Sequence, residues 1–377
     1  MPLAGSFKIR QGWRNFRRRF SELRFKPVLN YEAVRETDSK EEIGLHSDTE
    51  YRFTGTFEFA EDNILWVRND ELTIPVDLKG AKAYLLPNDP DEDIPEKIRW
   101  NQLSILSGEV RIYVGGTLAL RDKRRIFASS PGSPLLIILY EGSDHTLTTR
   151  TIKGGRYKNK YWNFITPYAH IMGAFSQIIM AVYLFDRPAR RNAMIAAFIA
   201  LFAPIIPLIP PGILFAMLYR RLWWRARLCR AYRDLARLLF FYTPKNETGA
   251  GPTALNEKGI KLPDGEFYGM KQYDTLPPAF YEKGFPFIIP ETEKKKGDKW
   301  HVFGIRDDKK NEGFLSAPAD PLTVYGAIPG EPEILSKRYA VRAWSLEILS
   351  WIVFAAGLAI NLAFIRAVLF MTGVFSG

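Results

Sequence analysis

Leu346-Glu347-Ile348-Leu349-Ser350-Trp351-Ile352-Val353-Phe354-Ala355-Ala356-Gly357-Leu358-Ala359-Ile360-Asn361-Leu362-Ala363-Phe364-Ile365 decides what kind of fold this sequence can take. A hydrocarbon core about 30 Å thick needs roughly 20 helical residues to cross it, and this run supplies them. Two further runs, Phe164 to Phe185 and Ala193 to Tyr219, are as long. The sequence therefore predicts an α+β integral membrane protein with about three transmembrane helices and antiparallel β-rich soluble modules.

The apolar runs are islands. Mean hydropathy over the 377 residues is slightly negative and 25% of them are charged, so most of the mass is expected outside the bilayer. The expected order is a basic N-terminal segment (1–30), a β-rich domain (31–160), a transmembrane hairpin (161–219), an arginine-rich interfacial helix (220–242), a second β-containing region (243–343), and the last span with the C-terminus (344–377). The single cysteine, Cys229, excludes an intrachain disulfide and a multi-cysteine zinc site, as suits a reducing compartment.

Charge sets the expected orientation. Lys8, Arg10, Arg14 and Arg17-Arg18-Arg19 lead into Phe20-Ser21-Glu22-Leu23-Arg24, which is not the apolar core of a secretory signal. Lys153, Arg156, Lys158 and Lys160 precede the first run. Arg220, Arg221, Arg225, Arg227, Arg230, Arg233 and Arg237 follow the second, and Lys337, Arg338 and Arg342 precede the third. Against these fourteen stand Arg187, Arg190, Arg191 and Arg366 on the other side. Basic flanks stay cytoplasmic, which places the N-terminus and both soluble regions in the cytoplasm. The arginines in Asp186-Arg187-Pro188-Ala189-Arg190-Arg191 oppose that rule, and Pro204, Pro207, Pro210 and Pro211 kink the second run, so a re-entrant segment is the alternative to a full span.

Beyond the kink, Leu218 to Phe241 reads as a helix with arginines around much of its circumference. Arg220, Arg221, Trp223, Trp224, Arg225, Arg227 and Arg230 are its membrane-interface candidates. Arginine stems snorkel toward anionic headgroups, each basic residue contributing about 1 kcal/mol, while tryptophan settles at the interface. The competing reading is a topology lock only. No recognition helix or stacking motif accompanies the net charge of +11, so nucleic acid is not an expected partner.

Between residues 31 and 160, Tyr51-Arg52-Phe53-Thr54-Gly55-Thr56-Phe57-Glu58-Phe59 alternates, as do Ile64 to Val67 and Leu72 to Val76, with turns at Glu61-Asp62-Asn63 and Asn69-Asp70. A related pattern returns later: Thr54-Gly55 matches Ser107-Gly108, Phe57 and Phe59 match Val110 and Ile112, and Leu65 to Arg68 matches Leu118 to Arg121. This is either a duplicated β unit or the generic look of hairpins. Pro87 to Asp93 reads as an acidic loop. Leu135 to Tyr140 is a continuous apolar run of strand length, expected to be buried on both faces.

The second region opens on Thr243 to Pro290, rich in Gly and Pro. Its aromatics Phe267, Tyr268, Tyr273, Phe280, Tyr281, Phe285 and Phe287 argue for an ordered wrapping loop packed on a domain or a partner. Trp300 to Ile305 and Pro321 to Tyr325 read as strands, and Gly330-Glu331-Pro332-Glu333 starts a helix that runs through Arg342 into the last apolar run. Over residues 299 to 365 this order of elements resembles the last part of the GIDE domain, known from membrane-anchored ubiquitin ligases and from prokaryotic membrane proteins. The resemblance covers under a fifth of the chain and rests on no signature residue. In the ligases a cysteine-rich RING follows the last span; this sequence has no cysteine there, so ligase activity does not carry over.

Motifs that carry chemistry are few in this sequence. The four histidines, His46, His145, His170 and His301, form no His-Glu-x-x-His pair, and no P-loop or Gly-x-Ser-x-Gly is present. Gly249 to Ala254 lacks the preceding strand of a dinucleotide site. Ser143-Asp144-His145 are adjacent residues that point apart, a poor start for a triad. Asn246-Glu247-Thr248 is a sequon on the expected cytoplasmic side. No catalytic, cofactor or metal residue is assigned. The expected function is that of a membrane-anchored scaffold, assembly factor or structural subunit acting by protein binding. Its expected partners are the anionic headgroups of the bilayer and proteins of a membrane complex. Two alternatives are a membrane-surface enzyme acting on lipid or peptide with Asp144, His145 and the basic helix, and a channel or transporter subunit kinked at Pro207 to Pro211. The second is disfavoured because no charged residue lies in the first two runs.

Overall fold

The computed structural model describes residues 2–157, 212–240 and 260–371, less the stretches 36–48, 87–95, 99–109, 262–266 and 307–314 and some single positions and pairs. The chain divides into two units, Trp13–Gly155 with Asp234–Leu335, and Met1–Gly12 with Arg156–Arg233 and Ser336–Gly377.

The first unit holds the two soluble β regions together. Eight strands form one sheet: β1 (Glu50–Glu61), β2 (Ile64–Arg68), β3 (Thr73–Asp77), β4 (Lys82–Leu86), β5 (Glu96–Ile98), β6 (Arg111–Arg121), β7 (Arg124–Ala128) and β8 (Leu136–Tyr140). Their order is β1-β2-β3-β7-β6-β8-β4-β5, and β1 also pairs with β6, so five of them close into a ring. Each of those five strands thereby has a neighbour on both sides, while β8, β4 and β5 extend from β6. The turns are built by asparagine. Asn63 takes φ +65° between β1 and β2, a conformation asparagine tolerates better than most residues. Asn69 Oδ1 accepts from the backbone N–H of Glu71 at 3.0 Å and of Leu72 at 2.7 Å between β2 and β3.

The paired long strands carry an internal symmetry. Glu50–Thr56 of β1 runs antiparallel to Arg111–Thr117 of β6, with Glu50 opposite Thr117 and Thr56 opposite Arg111. Beyond that ladder β1 turns to pair with β2, as β6 turns to pair with β7. The ladder sets Glu50–Thr56 against Arg111–Thr117, and Ser107-Gly108 of the repeat read from the sequence lie outside the described residues. Under the alignment read from the sequence, Leu65 to Arg68 would match Leu118 to Arg121, yet the first is the returning strand of its hairpin and the second the outgoing one. Short alternating patterns fit several registers, and only pairing selects one. Gly55 sits where β1 changes partner. A Cβ there would lie 2.3 Å from the Arg68 carbonyl oxygen, so the crossing requires glycine.

The strand β8 is buried on both faces, as its unbroken apolar run predicts. Leu135, Ile137 and Leu139 face a core with Phe53, Val67, Val76, Val114 and Phe127. Leu136, Ile138 and Tyr140 face a second core with Tyr84, Tyr113 and the N-terminal helix α1 (Pro2–Leu23). The basic N-terminal segment thus contains a packed helix. Trp13, Phe16, Phe20 and Leu23 recur at helical spacing, and Phe16 lies 4.2 Å from Tyr84 between ring centroids. Arg19 ties the same helix to the sheet through the Pro134 carbonyl oxygen at 3.1 Å and Glu50 at 2.6 Å.

A second sheet comprises β9 (Ile260–Lys261), β10 (Phe267–Tyr273), β11 (Trp300–Arg306), β12 (Leu315–Ser316) and β13 (Gly326–Pro329), with β10, β12 and β13 all on β11. The strand expected at Pro321 to Tyr325 begins instead at Gly326. Asp320 holds the preceding residues in a turn, accepting from Leu322 N at 3.0 Å and Thr323 Oγ1 at 2.9 Å. The same aspartate joins the two sheets. Arg52 of β1 donates two hydrogen bonds to the Asp320 carboxylate and a third, from Nε, to the Lys26 carbonyl oxygen at 2.6 Å. Both side chains are nearly inaccessible, at 10% and 11% exposure. Burial would push the Asp320 carboxyl up, but the hydrogen bonds and charge of Arg52 outweigh it and hold it below its ordinary range. Leu322 buries in the α1 core, and Thr148 of α2 (Leu147–Tyr157) donates to its carbonyl oxygen at 3.3 Å.

In the other unit, the last apolar run lies on one long helix. Among the described residues this is the one helix long and apolar enough to cross a membrane, over Pro332–Ile360, with 17% of its most apolar window buried. The expectation of three spans is corrected to a mixed α/β chain with a β-rich sheet domain and one candidate membrane helix. Phe164 to Phe185, the Asp186–Arg191 loop and most of Ala193 to Tyr219, prolines included, lie outside the described residues. What is described of the second run, from Gly212, continues unbroken into the arginine-rich helix Gly212–Phe240, where Arg220 and Arg221 end the apolar stretch.

Two outcomes are expected. Asp320→Ala leaves the buried Arg52 guanidinium without its carboxylate and should cost about 3 kcal/mol in denaturant unfolding, whereas the joint replacement Arg52→Met with Asp320→Leu should recover most of that loss. Glu50, pressed upward by burial but pulled down to about 2 by hydrogen bonds from Arg19, Ser133 and Lys26, has an ordinary value of 4.5. The unfolded chain binds this proton first, so the stabilisation is complete above about pH 5 and drains away as pH falls toward 2. Glu50→Gln should flatten that part of an acid-unfolding curve; an unchanged curve would contradict the assignment.

Candidate functional site

The residues singled out for the membrane interface fall on α3 (Gly212–Phe240), which runs antiparallel to α5 (Pro332–Met371). Three contacts fix the direction. Tyr219 lies 6.4 Å from Trp351 and 5.4 Å from Phe354 between ring centroids, Arg227 and Arg230 meet Glu347, and Tyr232 lies 5.3 Å from Tyr339. Pro332 opens α5 at the position where a missing N–H costs nothing, and Leu335 N donates to the Glu331 carbonyl oxygen at 2.9 Å. Small residues one heptad apart, Ser336, Ala343, Ser350 and Gly357, lie on the covered side of α5, where they permit close helix approach.

Glu347 is the centre of this pair. Its Oε1 accepts from Arg227, and Arg230 donates to Oε1 at 3.2 Å and to Oε2 at 2.8 Å. Arg227 is 5% exposed, and its guanidinium stands 4.3 Å over the Trp223 ring, which itself stacks on Tyr219. A carboxylate so close to an apolar run requires this neutralisation, because an isolated charge there is costly. Two arginines on one carboxylate leave the cluster net positive.

The seven interface candidates therefore divide. Trp223, Arg227 and Arg230 pack toward α5, Arg227 and Arg230 on Glu347, whereas Arg220, Arg221, Trp224 and Arg225 are exposed. Glu347 was not among them. Its signal was present in the sequence as the single acidic residue inside the run Leu346 to Ile365, a position at which an ionisable group points to a partner.

The aromatics proposed for partner binding also divide. Tyr268, Phe280 and Phe285 are buried, and Tyr273 and Phe287 pack on the same core, with Trp300, Val302 and Leu315. Phe285 contacts Phe280 at 4.8 Å and Tyr325 at 4.6 Å, and the Tyr268 hydroxyl donates to the Val324 carbonyl oxygen at 2.6 Å. The described part of that stretch, with β10 and the short helix α4 (Pro278–Glu282), packs on its own domain, and Thr243 to Gly259 lie outside the described residues. Phe267 and Tyr281 alone of the seven stay exposed, each at 47%.

Asp144 and His145 are directed apart. Asp144 takes a hydrogen bond from the Tyr140 hydroxyl at 2.8 Å and an ion pair from Arg111. Burial first, then the Asp144 charge, pushes the Tyr140 phenol far above its ordinary range, so it stays protonated and donating. His145 instead stands edge-on to Tyr325 at 6.0 Å, so Asp144 does not orient it as a base. Among the described residues no group of three His, Cys, Asp or Glu side chains is placed to hold a metal. His46, His170, Gly249–Ala254 and Asn246–Thr248 lie outside the described residues.

No protein-family model matches the chain, and neither a curated protein nor a solved structure matches it.

Removing the central carboxylate should cost more than removing either arginine. Glu347→Ala, which leaves the buried Arg227 charge uncompensated, is expected to lower stability by about 3 kcal/mol, and Arg230→Ala by about 1 kcal/mol or less. Thermal unfolding of the full chain in detergent micelles reads both; equal losses would show that the cluster is not centred on Glu347.

Proposed function

We propose that this chain is a membrane-anchored scaffold or assembly subunit that acts by binding other proteins. One observation carries the reading: α5 presents a long apolar surface that no described residue covers, with Val341 at 65%, Trp344 at 61% and Ile352 at 58% exposure. A core helix of a globular domain would bury such residues, whereas a bilayer accommodates them. The β-rich unit leads into α5 at its N-terminal end, where Lys337, Arg338 and Arg342 stand and where the arginines of α3 run alongside. The positive-inside rule then puts that end, and the β-rich unit with it, on the cytoplasmic side.

The binding role is supported by what the β-rich unit offers. Its acid–base candidates are engaged structurally, its aromatic loop completes its own core, and it retains exposed aromatic surface at Phe59, which stacks on Trp66 at 5.4 Å, and at Phe267 and Tyr281. Exposed aromatics of this kind are the usual anchors of protein contacts. Nothing in the arrangement of Asp144 and His145 favours the enzyme alternative.

The test is alkaline carbonate extraction followed by mild detergent solubilisation at native expression. The chain should remain in the membrane pellet and then migrate with stoichiometric companions, whose recovery falls at least about fivefold with Phe59→Ser and Phe267→Ser together. Release by carbonate overturns the anchoring. A lone monomer after mild solubilisation overturns the scaffold.

A further inference from the structure

We propose that the exposed face of α3 seats the phosphodiester headgroups of anionic phospholipids, with Arg220, Arg221 and Arg225 as the cations and Trp224 at the same level. This rests on the reading of α5 as a membrane anchor and names the lipid chemistry that the anchor selects.

The helix α3 divides its side chains between a covered and an exposed face. At 100° per residue, Arg220, Arg221, Trp224 and Arg225 fall within an arc of about 140°, separate from the arc of about 60° that carries Trp223, Arg227 and Arg230 toward α5. The same exposed arc continues toward the N-terminus of α3 as Leu214, Met217 and Leu218, all exposed. Within one turn the outer surface of α3 therefore changes from apolar to basic and aromatic. That sequence of surfaces matches the passage from hydrocarbon to headgroup.

The helix α5 makes the same change, beginning at Glu347, about one turn from the Trp351 that Tyr219 meets. From its N-terminus it presents Lys337 and Arg342, then Trp344 and the neutralised Glu347, and beyond them exposed Ile348, Leu349, Trp351 and Ile352. Because the helices are antiparallel and Tyr219 meets Trp351, the apolar end of α3 lies beside the apolar stretch of α5. Two independent chain segments thus mark one boundary. Arg227 and Arg230 are committed to Glu347, which leaves the three exposed arginines to face the solvent or headgroup layer. A nucleic acid or an acidic protein segment would meet the charge but not the apolar turn joined to it.

The experiment uses the full chain reconstituted in nanodiscs of phosphatidylcholine, alone or mixed with phosphatidylglycerol, with the lipids retained on release counted by native mass spectrometry. The wild-type chain should retain phosphatidylglycerol in preference to phosphatidylcholine. Arg220→Gln/Arg221→Gln/Arg225→Gln should lower that preference by about tenfold or more, as removal of three surface cations implies. Lys294→Gln/Lys295→Gln/Lys296→Gln, which removes the same charge from a turn of the β-rich unit, should leave it unchanged. An absent preference, or an equal loss in both triple variants, overturns the lipid site. Preference abolished by an added acidic peptide would assign the face to protein instead and overturns it too. A chain that stays in the nanodisc without preference sinks this proposal alone, whereas one that never incorporates sinks the anchoring as well.

Discussion

A strand that is apolar at every position has to be covered twice, and in this chain Leu136–Tyr140 imposes that demand on everything around it. One face is closed by the ring of strands, whose Phe53, Val67, Val76 and Phe127 meet Ile137 and Leu139. The other face requires a cover that the ring does not supply. The helix α1 provides it with Phe16, Phe20 and Leu23, and Leu322, far along the chain, fills the remaining space. Each of these fully buried side chains is worth about 2 kcal/mol of apolar transfer. The N-terminal helix and the loop at residue 322 are thereby bound into one unit with the first sheet.

That requirement explains why Arg52 and Asp320 meet. Leu322 reaches the α1 core only if the turn before it is held, and Asp320 holds the turn through Leu322 and Thr323 while accepting two hydrogen bonds from Arg52. A buried ion pair contributes little by its charge alone, since desolvation offsets much of the attraction. Its role here is geometric: it fixes the register in which the second sheet meets the first. The Glu347 cluster repeats the logic in the helical unit. There a single carboxylate fixes the height at which α3 and α5 pass each other.

Much of the β-rich unit was legible in advance. The alternation of Tyr51 to Phe59, the asparagine turns at Asn63 and Asn69, and the two-faced burial of Leu136–Tyr140 follow from period and composition. So did the long helix opening at Pro332. The amphipathic spacing of Trp13, Phe16, Phe20 and Leu23 was present too, masked by the arginines among them. The misplaced strand near residue 322 has a different cause. Leu322-Thr323-Val324-Tyr325 has strand composition, but Asp320 side-chain hydrogen bonds compete with the ladder and win locally.

The sequence by itself determined what depends on neighbours along the chain: strand period, turn residues, the length of the apolar run in α5 and the cluster of arginines that ends the apolar start of α3. Tertiary structure decided what depends on which distant residue arrives beside which. It chose the symmetric pairing of β1 with β6 over the nearer apparent repeat, because hydrogen-bond register is a property of two strands together. It sent most of the aromatic loop inward, because Trp300 and Val302 offered it a core. It divided the interface arginines of α3 into Arg227 and Arg230, spent on Glu347, and Arg220, Arg221 and Arg225, left exposed, because Glu347 stands against one side of that helix. A residue's type limits its chemistry, but the neighbour across the fold assigns its role.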